Sequence, residues 1–136
     1  MIAAHTPPNV LIVEDDAEIA RAVAFRIERC GFVPLVARDG SEGLTAAQRG
    51  RPDAIILDLR MPVMGGLALL SKLAQSESTA LIPAIILSAD SDQRAKLKAL
   101  SGGAAFFVEN TAGKTILAIV PSFSERYLST ILFEGI

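Results

Sequence analysis

The chain has 136 residues, the size of one domain. It is 51% hydrophobic and 21% charged, so a packed core can form and an intrinsically disordered chain is excluded. Thirteen Lys+Arg against fifteen Asp+Glu leave a net charge of -2, which makes no electrostatic case for nucleic acid or a membrane surface as partner. One cysteine, Cys30, excludes an internal disulfide framework and a multi-Cys zinc site. One histidine, His5, excludes a His-rich metal site and a Ser-His-Asp triad built from the core. No apolar run approaches the roughly 20 residues of a spanning helix. Met1 to Pro8 has neither a basic n-region nor a long apolar stretch, so a cytoplasmic protein is expected.

Short apolar runs alternate with segments of helical period. Val10 to Val13 reads as a strand that ends in Glu14-Asp15-Asp16. Ile19, Val23, Ile27 and Cys30 then fall at helical spacing, with Asp16 as N-cap and Gly31 as the stop. Phe32 to Ala37 reads as a second strand, and Pro34 suggests an edge. After Asp39-Gly40, Ser41 can cap a helix through Gln48. A third strand, Ala54 to Leu57, ends at Asp58. Met61-Pro62 breaks the chain, and Gly65-Gly66 opens a helix through about Gln75. Ala84 to Leu87 reads as a fourth strand ending at Ser88, and Asp90 to Leu100 as a helix with Ala95, Leu97 and Leu100 near one face. Gly102-Gly103 stops it, and Ala105 to Val108 reads as a fifth strand.

Strands that are continuous apolar runs are buried on both faces, as in a parallel sheet covered by helices. The expected fold is therefore α/β, a doubly wound, flavodoxin-like parallel sheet of order 2-1-3-4-5. In such sheets the site lies beyond the carboxyl ends of the strands. The polar residues there are Glu14 and Asp15 after the first strand, Asp58 after the third and Ser88 after the fourth. Three converging carboxylates repel, each pair by about 3 kcal/mol at about 5 Å and an effective dielectric near 20. A hard divalent cation removes that cost, and Mg2+ suits few carboxylates plus waters and phosphate oxygens. Such a cation would shield Asp58 from an incoming phosphoryl group, to which Ser88 could donate a hydrogen bond.

The run Val10-Leu-Ile-Val-Glu-Asp-Asp16, the run Ile56-Leu-Asp-Leu-Arg-Met-Pro62 and Leu87-Ser-Ala89 resemble a response-regulator receiver domain over about residues 9–108. The spacings fit too, with 43 residues from Asp15 to Asp58 and 30 from Asp58 to Ser88. The resemblance implies a two-component signalling module and not an enzyme. Asp58 would be the phosphoacceptor, Glu14 and Asp15 would hold Mg2+ with Asp58, and the Arg60 backbone carbonyl would complete the metal site. Ser88 would be the switch hydroxyl and Phe107 the switch aromatic. The implied partner is a histidine kinase or phosphotransfer protein, and the output would come from docking.

Three features depart from that family, the smallest being Gly65, where the family often has Asp before the second Gly. It has a Lys directly after the fifth strand, and the corresponding position, 22 residues beyond Ser88, is Asn110. Asn can donate a hydrogen bond but brings no charge. The segment from Glu109 onward, with Ala112-Gly-Lys-Thr-Ile116 and Pro121 to Ile136, resembles the tail of cysteine synthase, a pyridoxal-phosphate enzyme. It carries none of that enzyme's cofactor residues, so that activity is not expected; the expectation is a recombined or engineered chimera, with a natural, highly divergent receiver tail as the alternative. Gly113-Lys114-Thr115 is similar to the end of a P-loop, but the required Gly five residues earlier is Val108. Physically, Thr115 to Val120 is either a hairpin partner of the fifth strand or a helix ended by Pro121, with the strand favoured. Ser124 can cap a final helix that turns Leu128, Ile131 and Leu132 to the sheet. The whole is expected to fold as one domain, 1–136, with a receiver-like body over 9–108 and an atypical segment over 109–136.

Overall fold

The computed structural model describes residues 7–59, 61, 64–88, 93–104, 106–111 and 114–119. The side chains of Ser88, Gln93, Ala95 and Lys96 and of residues 106–119 fall outside that description. The elements in chain order are β1 (Asn9–Val13), α1 (Ala17–Arg29), β2 (Val33–Ala37), α2 (Gly40–Gly50), β3 (Ala54–Leu57), α3 (Gly66–Gln75), β4 (Ala84–Ser88), α4 (Gln93–Ser101), β5 (Phe106–Thr111) and β6 (Lys114–Ile119).

The first four strands are parallel in the expected order 2-1-3-4. Beyond them β5 pairs parallel with β4, and β6 antiparallel with β5. β1 and β3 sit inside the sheet, and every residue from Val10 to Val13 and from Ala54 to Leu57 is buried. β2 lies at the edge, as Pro34 suggested. There the missing N–H of proline deprives no sheet neighbour of a bond, because Val33 supplies the donor toward β1 through Pro8 O at 2.8 Å. At the same end of the strands, Asp53 Oδ2 accepts from Asn9 N–H at 2.8 Å, and Asp53 N–H donates to Asn9 O at 2.8 Å. This closed pair fixes the register of β1 against β3.

The period of two along each strand divides the core into two layers. Leu11, Val13, Ile55, Leu57 and Ile86 pack with Ala47 of α2, Leu69, Leu70 and Leu73 of α3 and Ala99 of α4. Val10, Ile12, Ala54, Ile56 and Ile85 face the other way and pack with Val23, Ala24 and Ile27 of α1. After α3, the buried Thr79 hydroxyl donates to Leu73 O at 2.6 Å, satisfying a carbonyl at the helix end. No helix among the described residues is long and apolar enough to cross a membrane.

Several expectations are corrected. The N-cap of α2 is Asp39, whose carboxylate accepts from Glu42 N–H at 2.8 Å, so Ser41 lies inside the helix. A carboxylate two residues earlier reaches the same orphan donors and carries charge that the helix dipole favours. Ile19 and Leu97 are exposed, and Ala20 and Ala99 face the core instead. At these two places an alanine rather than the larger side chain is turned inward, while Ile27 buries the end of α1. β5 extends to Thr111 rather than stopping at Val108, so Asn110 lies within a paired strand, opposite Thr115. The expected final helix after Ser124 lies outside the described residues.

Candidate functional site

The site follows from the register of two neighbouring strands. Val13 is the register partner of Leu57, so the residues that come next, Glu14 and Asp58, leave the sheet side by side. Two backbone bonds hold these exits: Asp58 N–H donates to Val13 O at 3.1 Å, and Glu14 N–H to Ala37 O of β2 at 3.0 Å. Ligand oxygens of Glu14, Asp15 and Asp58, one from each, all lie within 4.8 Å of one another. Glu14 is buried, Asp58 half-buried and Asp15 exposed, so the cluster opens to solvent on one side. Glu14 also accepts from Asp16 N–H through Oε2 at 3.2 Å, which ties it to the start of α1.

Burial pushes the Glu14 carboxyl up to about 8, and the neighbouring Asp15 and Asp58 push in the same direction. The bond from Asp16 N–H opposes the rise without cancelling it. The Glu14 carboxyl of the metal-free protein is thus held toward its protonated form. A buried carboxyl pushed this way beside two further carboxylates marks a site short of positive charge. All-oxygen donors, few carboxylates and an open side suit Mg2+, which keeps several of its waters. The residues present thus fit the cation expected from the sequence.

The other wall of the site is the start of α3. A Cβ on Gly66 would run into Asp58 O and lie 2.7 Å from Leu59 Cα. Only glycine lets the helix approach this closely, and Gly66 N–H then donates to Leu59 O at 3.1 Å. The sequence marked Gly65-Gly66 as a helix start but not as a contact with Asp58; the doublet beginning seven residues after Asp58 was the available signal.

Residues 10–118 match the response regulator receiver domain family. The chain belongs to that family. The match reaches residue 118, past the limit at 108 drawn from the sequence, and so takes in β5 and most of β6. Among curated relatives, this receiver domain is 35% identical over 99 residues to the transcriptional regulatory protein PrrA of Mycobacterium tuberculosis, covering 73% of the chain and 42% of PrrA. It is 38% identical over 120 residues to CseB of Streptomyces avermitilis, covering 88% of the chain and 50% of that protein. The chain therefore spans about half the length or less of these relatives, which are named as transcriptional regulatory proteins.

Solved structures give the same fold. The chemotaxis response regulator CheY4 of Vibrio cholerae superposes with a TM-score of 0.73 at 28% identity, over 77% of this chain and 88% of CheY4. The Francisella response regulator 1452 receiver domain gives 0.69 at 32% identity, over 76% and 84%. The receiver domain thus has an α/β CheY-like fold. Its family binds Mg2+ at an acidic site and works with a cognate histidine kinase. Of the residues singled out in the sequence, the structure brings together Glu14, Asp15 and Asp58. Ser88 ends β4 beside them in strand order, paired in register with Glu109, and Phe107 lies in β5 opposite Ile86. The side chains of Ser88, Phe107 and Asn110, and all of Arg60, lie outside the described residues.

Proposed function

We propose that this receiver domain is the phosphoacceptor module of a two-component phosphorelay, with Asp58 as the acceptor. The observation that carries this reading is the cluster of Glu14, Asp15 and Asp58 at the paired ends of β1 and β3. Asp58 is the half-buried member; its N–H donates to Val13 O, and its carbonyl lies against Gly66. A carboxylate oxygen of Asp58 would attack the phosphorus of a phosphohistidine on the kinase or a phosphotransfer protein. The P–N bond breaks, its electron pair returns to the imidazole, and an acyl phosphate forms on Asp58. Glu14, Asp15 and Asp58, with the Arg60 carbonyl, would hold Mg2+, which when bound supplies positive charge opposite the phosphoryl oxygens. Ser88 would donate to the transferred group and Phe107 would follow its movement, as the family resemblance implies.

The position of Asn110 weakens the acyl phosphate state. Asn110 can donate a hydrogen bond to the phosphoryl oxygens, but unlike Lys it brings no positive charge to offset theirs. The same substitution favours a second reading, an interaction module that folds as a receiver without phosphotransfer. We further propose that residues 1–136 fold as one cytoplasmic domain with the sheet order 2-1-3-4-5. In it the cysteine-synthase-like tail of 109–136 replaces the usual ending of the receiver, as in a chimera.

Beryllofluoride with Mg2+, or acetyl phosphate, tests the two readings. A ligand at 100 times its Kd stabilises by about 2.7 kcal/mol, so thermal unfolding should shift upward for the wild type and not for Asp58→Asn. Equal shifts in both proteins would sink the phosphoacceptor reading and leave the interaction module. Asn110→Lys should lengthen the lifetime of the phosphorylated form.

A further inference from the structure

Helix α2 opens Gly40-Ser41-Glu42-Gly43. Glycine is among the poorest helix formers, and two within the first turn call for a reason outside the helix. Both are buried. A Cβ on Gly40 would stand 2.6 Å from Met64 O and 2.7 Å from Met64 Cβ. A Cβ on Gly43 would stand 2.9 and 3.0 Å from the two γ-methyls of Val13. Gly50, at the far end of the same helix, is different: its nearest neighbour would be Leu35 Cδ1 at 4.0 Å.

The two neighbours crowded by α2 belong to the two chain segments that build the acidic site. Val13 directly precedes Glu14, and its carbonyl accepts from Asp58 N–H. Met64 lies in the loop that leads from Asp58 to α3. Val13 is β-branched and fully buried, so its methyls cannot swing aside. Bulk added at Gly40 or Gly43 therefore presses on the loop after Asp58 or on the end of β1.

We infer that Gly40 and Gly43 are positioning residues for the acidic site. They let the first turn of α2 close on Val13 and Met64, and so set the distance between the Glu14–Asp15 end of β1 and Asp58. This rests on the reading that those carboxylates hold Mg2+. It assigns to α2, which contributes no carboxylate to the cluster, the role of keeping the oxygens close enough for one cation.

The test is Mg2+ titration of the folded, full chain by calorimetry, in the absence of any phosphodonor. Gly43→Ala should weaken Mg2+ by about tenfold, the effect typical of a group that orients metal ligands. Gly50→Ala should leave the affinity unchanged. Val13→Ala/Gly43→Ala, which returns the space that the new methyl takes, should recover the wild-type affinity. Gly40→Ala supplies an independent test through Met64 should Gly43→Ala fail to fold. Wild-type affinity in either folded single variant, or a double variant no better than Gly43→Ala, would overturn the inference. A wild-type Mg2+ affinity that Asp58→Asn leaves unchanged would instead overturn the metal-site reading, and the inference with it.

Discussion

Helices α1 and α2 leave neighbouring strands and both start on an aspartate, yet they are held in place differently. Asp16 accepts from Glu18 and Ile19 N–H at 2.9 and 3.2 Å, and Asp39 from Glu42 N–H at 2.8 Å. Beyond the cap, the first turn of α1 is exposed at Ala17, Glu18 and Ile19, whereas that of α2 is pressed on Val13 and Met64 through glycine. The exits reverse the pattern. α1 is followed by Gly31 at φ 90°, whereas α2 stops on Arg51 at φ 43°. A cap states where a helix begins, and a glycine states what it is pressed against. The entry to α1 is governed by charge and the entry to α2 by shape.

The largest effect should come from the charged entry. Glu14 holds its proton to about 8 in the folded protein and to about 4.5 as an ordinary carboxyl. Between those values the folded state binds more protons than the unfolded state, so stability must fall as pH rises through that window. One proton gives a slope of at most about 1.4 kcal/mol per pH unit, which accumulates to a few kcal/mol between pH 5 and 8 on the order of this shift. Urea unfolding of the metal-free protein at a series of pH values should show this decline. Glu14→Gln should flatten it, and saturating Mg2+ should offset it by holding the ionised form. Metal-free stability that stays level or rises between pH 5 and 8 would show that Glu14 ionises as an ordinary carboxylate, and that charge does not govern this entry.

The entry governed by shape should respond to bulk instead. Ala17 and Gly40 are the first residues of their helices. Gly40→Ala places a methyl against a backbone oxygen, and overpacking of this kind costs about 1–3 kcal/mol. Ala17→Gly meets no such contact and should cost less than about 1 kcal/mol, from helix propensity alone. Chemical denaturation of both variants measures the difference. Comparable losses would mean that the loop at Met64 yields freely, and that α2 does not press on it.

Much of this was legible in the sequence, and for a physical reason. Strands buried on both faces must be apolar throughout, so Val10–Val13 and Ala54–Leu57 stand out as continuous apolar runs. An abrupt change to acid at the end of each marked the site, because polar groups cannot remain inside the sheet. Register then did the rest: once two adjacent parallel strands are in step, Glu14 and Asp58 must emerge together. Contacts that depend on the absence of a side chain were not legible. Gly66 against Asp58 and Gly43 against Val13 leave no mark in hydrophobic period. Nor did the period show that Ala20 and Ala99 would be buried while Ile19 and Leu97 are exposed. The choice of Asp39 over Ser41 as a cap turned on two residues of offset, which periodicity does not resolve.

The smallest effect lies at the helix exits, where the comparison can be inverted by exchanging residue types. Arg51 closes α2 in the left-handed region, and its N–H donates to Ala47 O at 3.1 Å. A side chain in that conformation costs about 1–2 kcal/mol, part of which glycine returns through the greater freedom of its unfolded chain. Arg51→Gly should therefore stabilise the protein by about 0.5–1 kcal/mol. At α1 the reverse exchange isolates the same term, because a Cβ on Gly31 would meet nothing within 4 Å. Gly31→Ala should destabilise by about 1 kcal/mol from backbone conformation alone. Urea midpoints for the two variants should move in opposite directions with unchanged slopes. If Arg51→Gly instead lowers the midpoint, the arginine side chain contributes more at the end of α2 than its backbone costs, and the two exits differ in packing as well as in residue type.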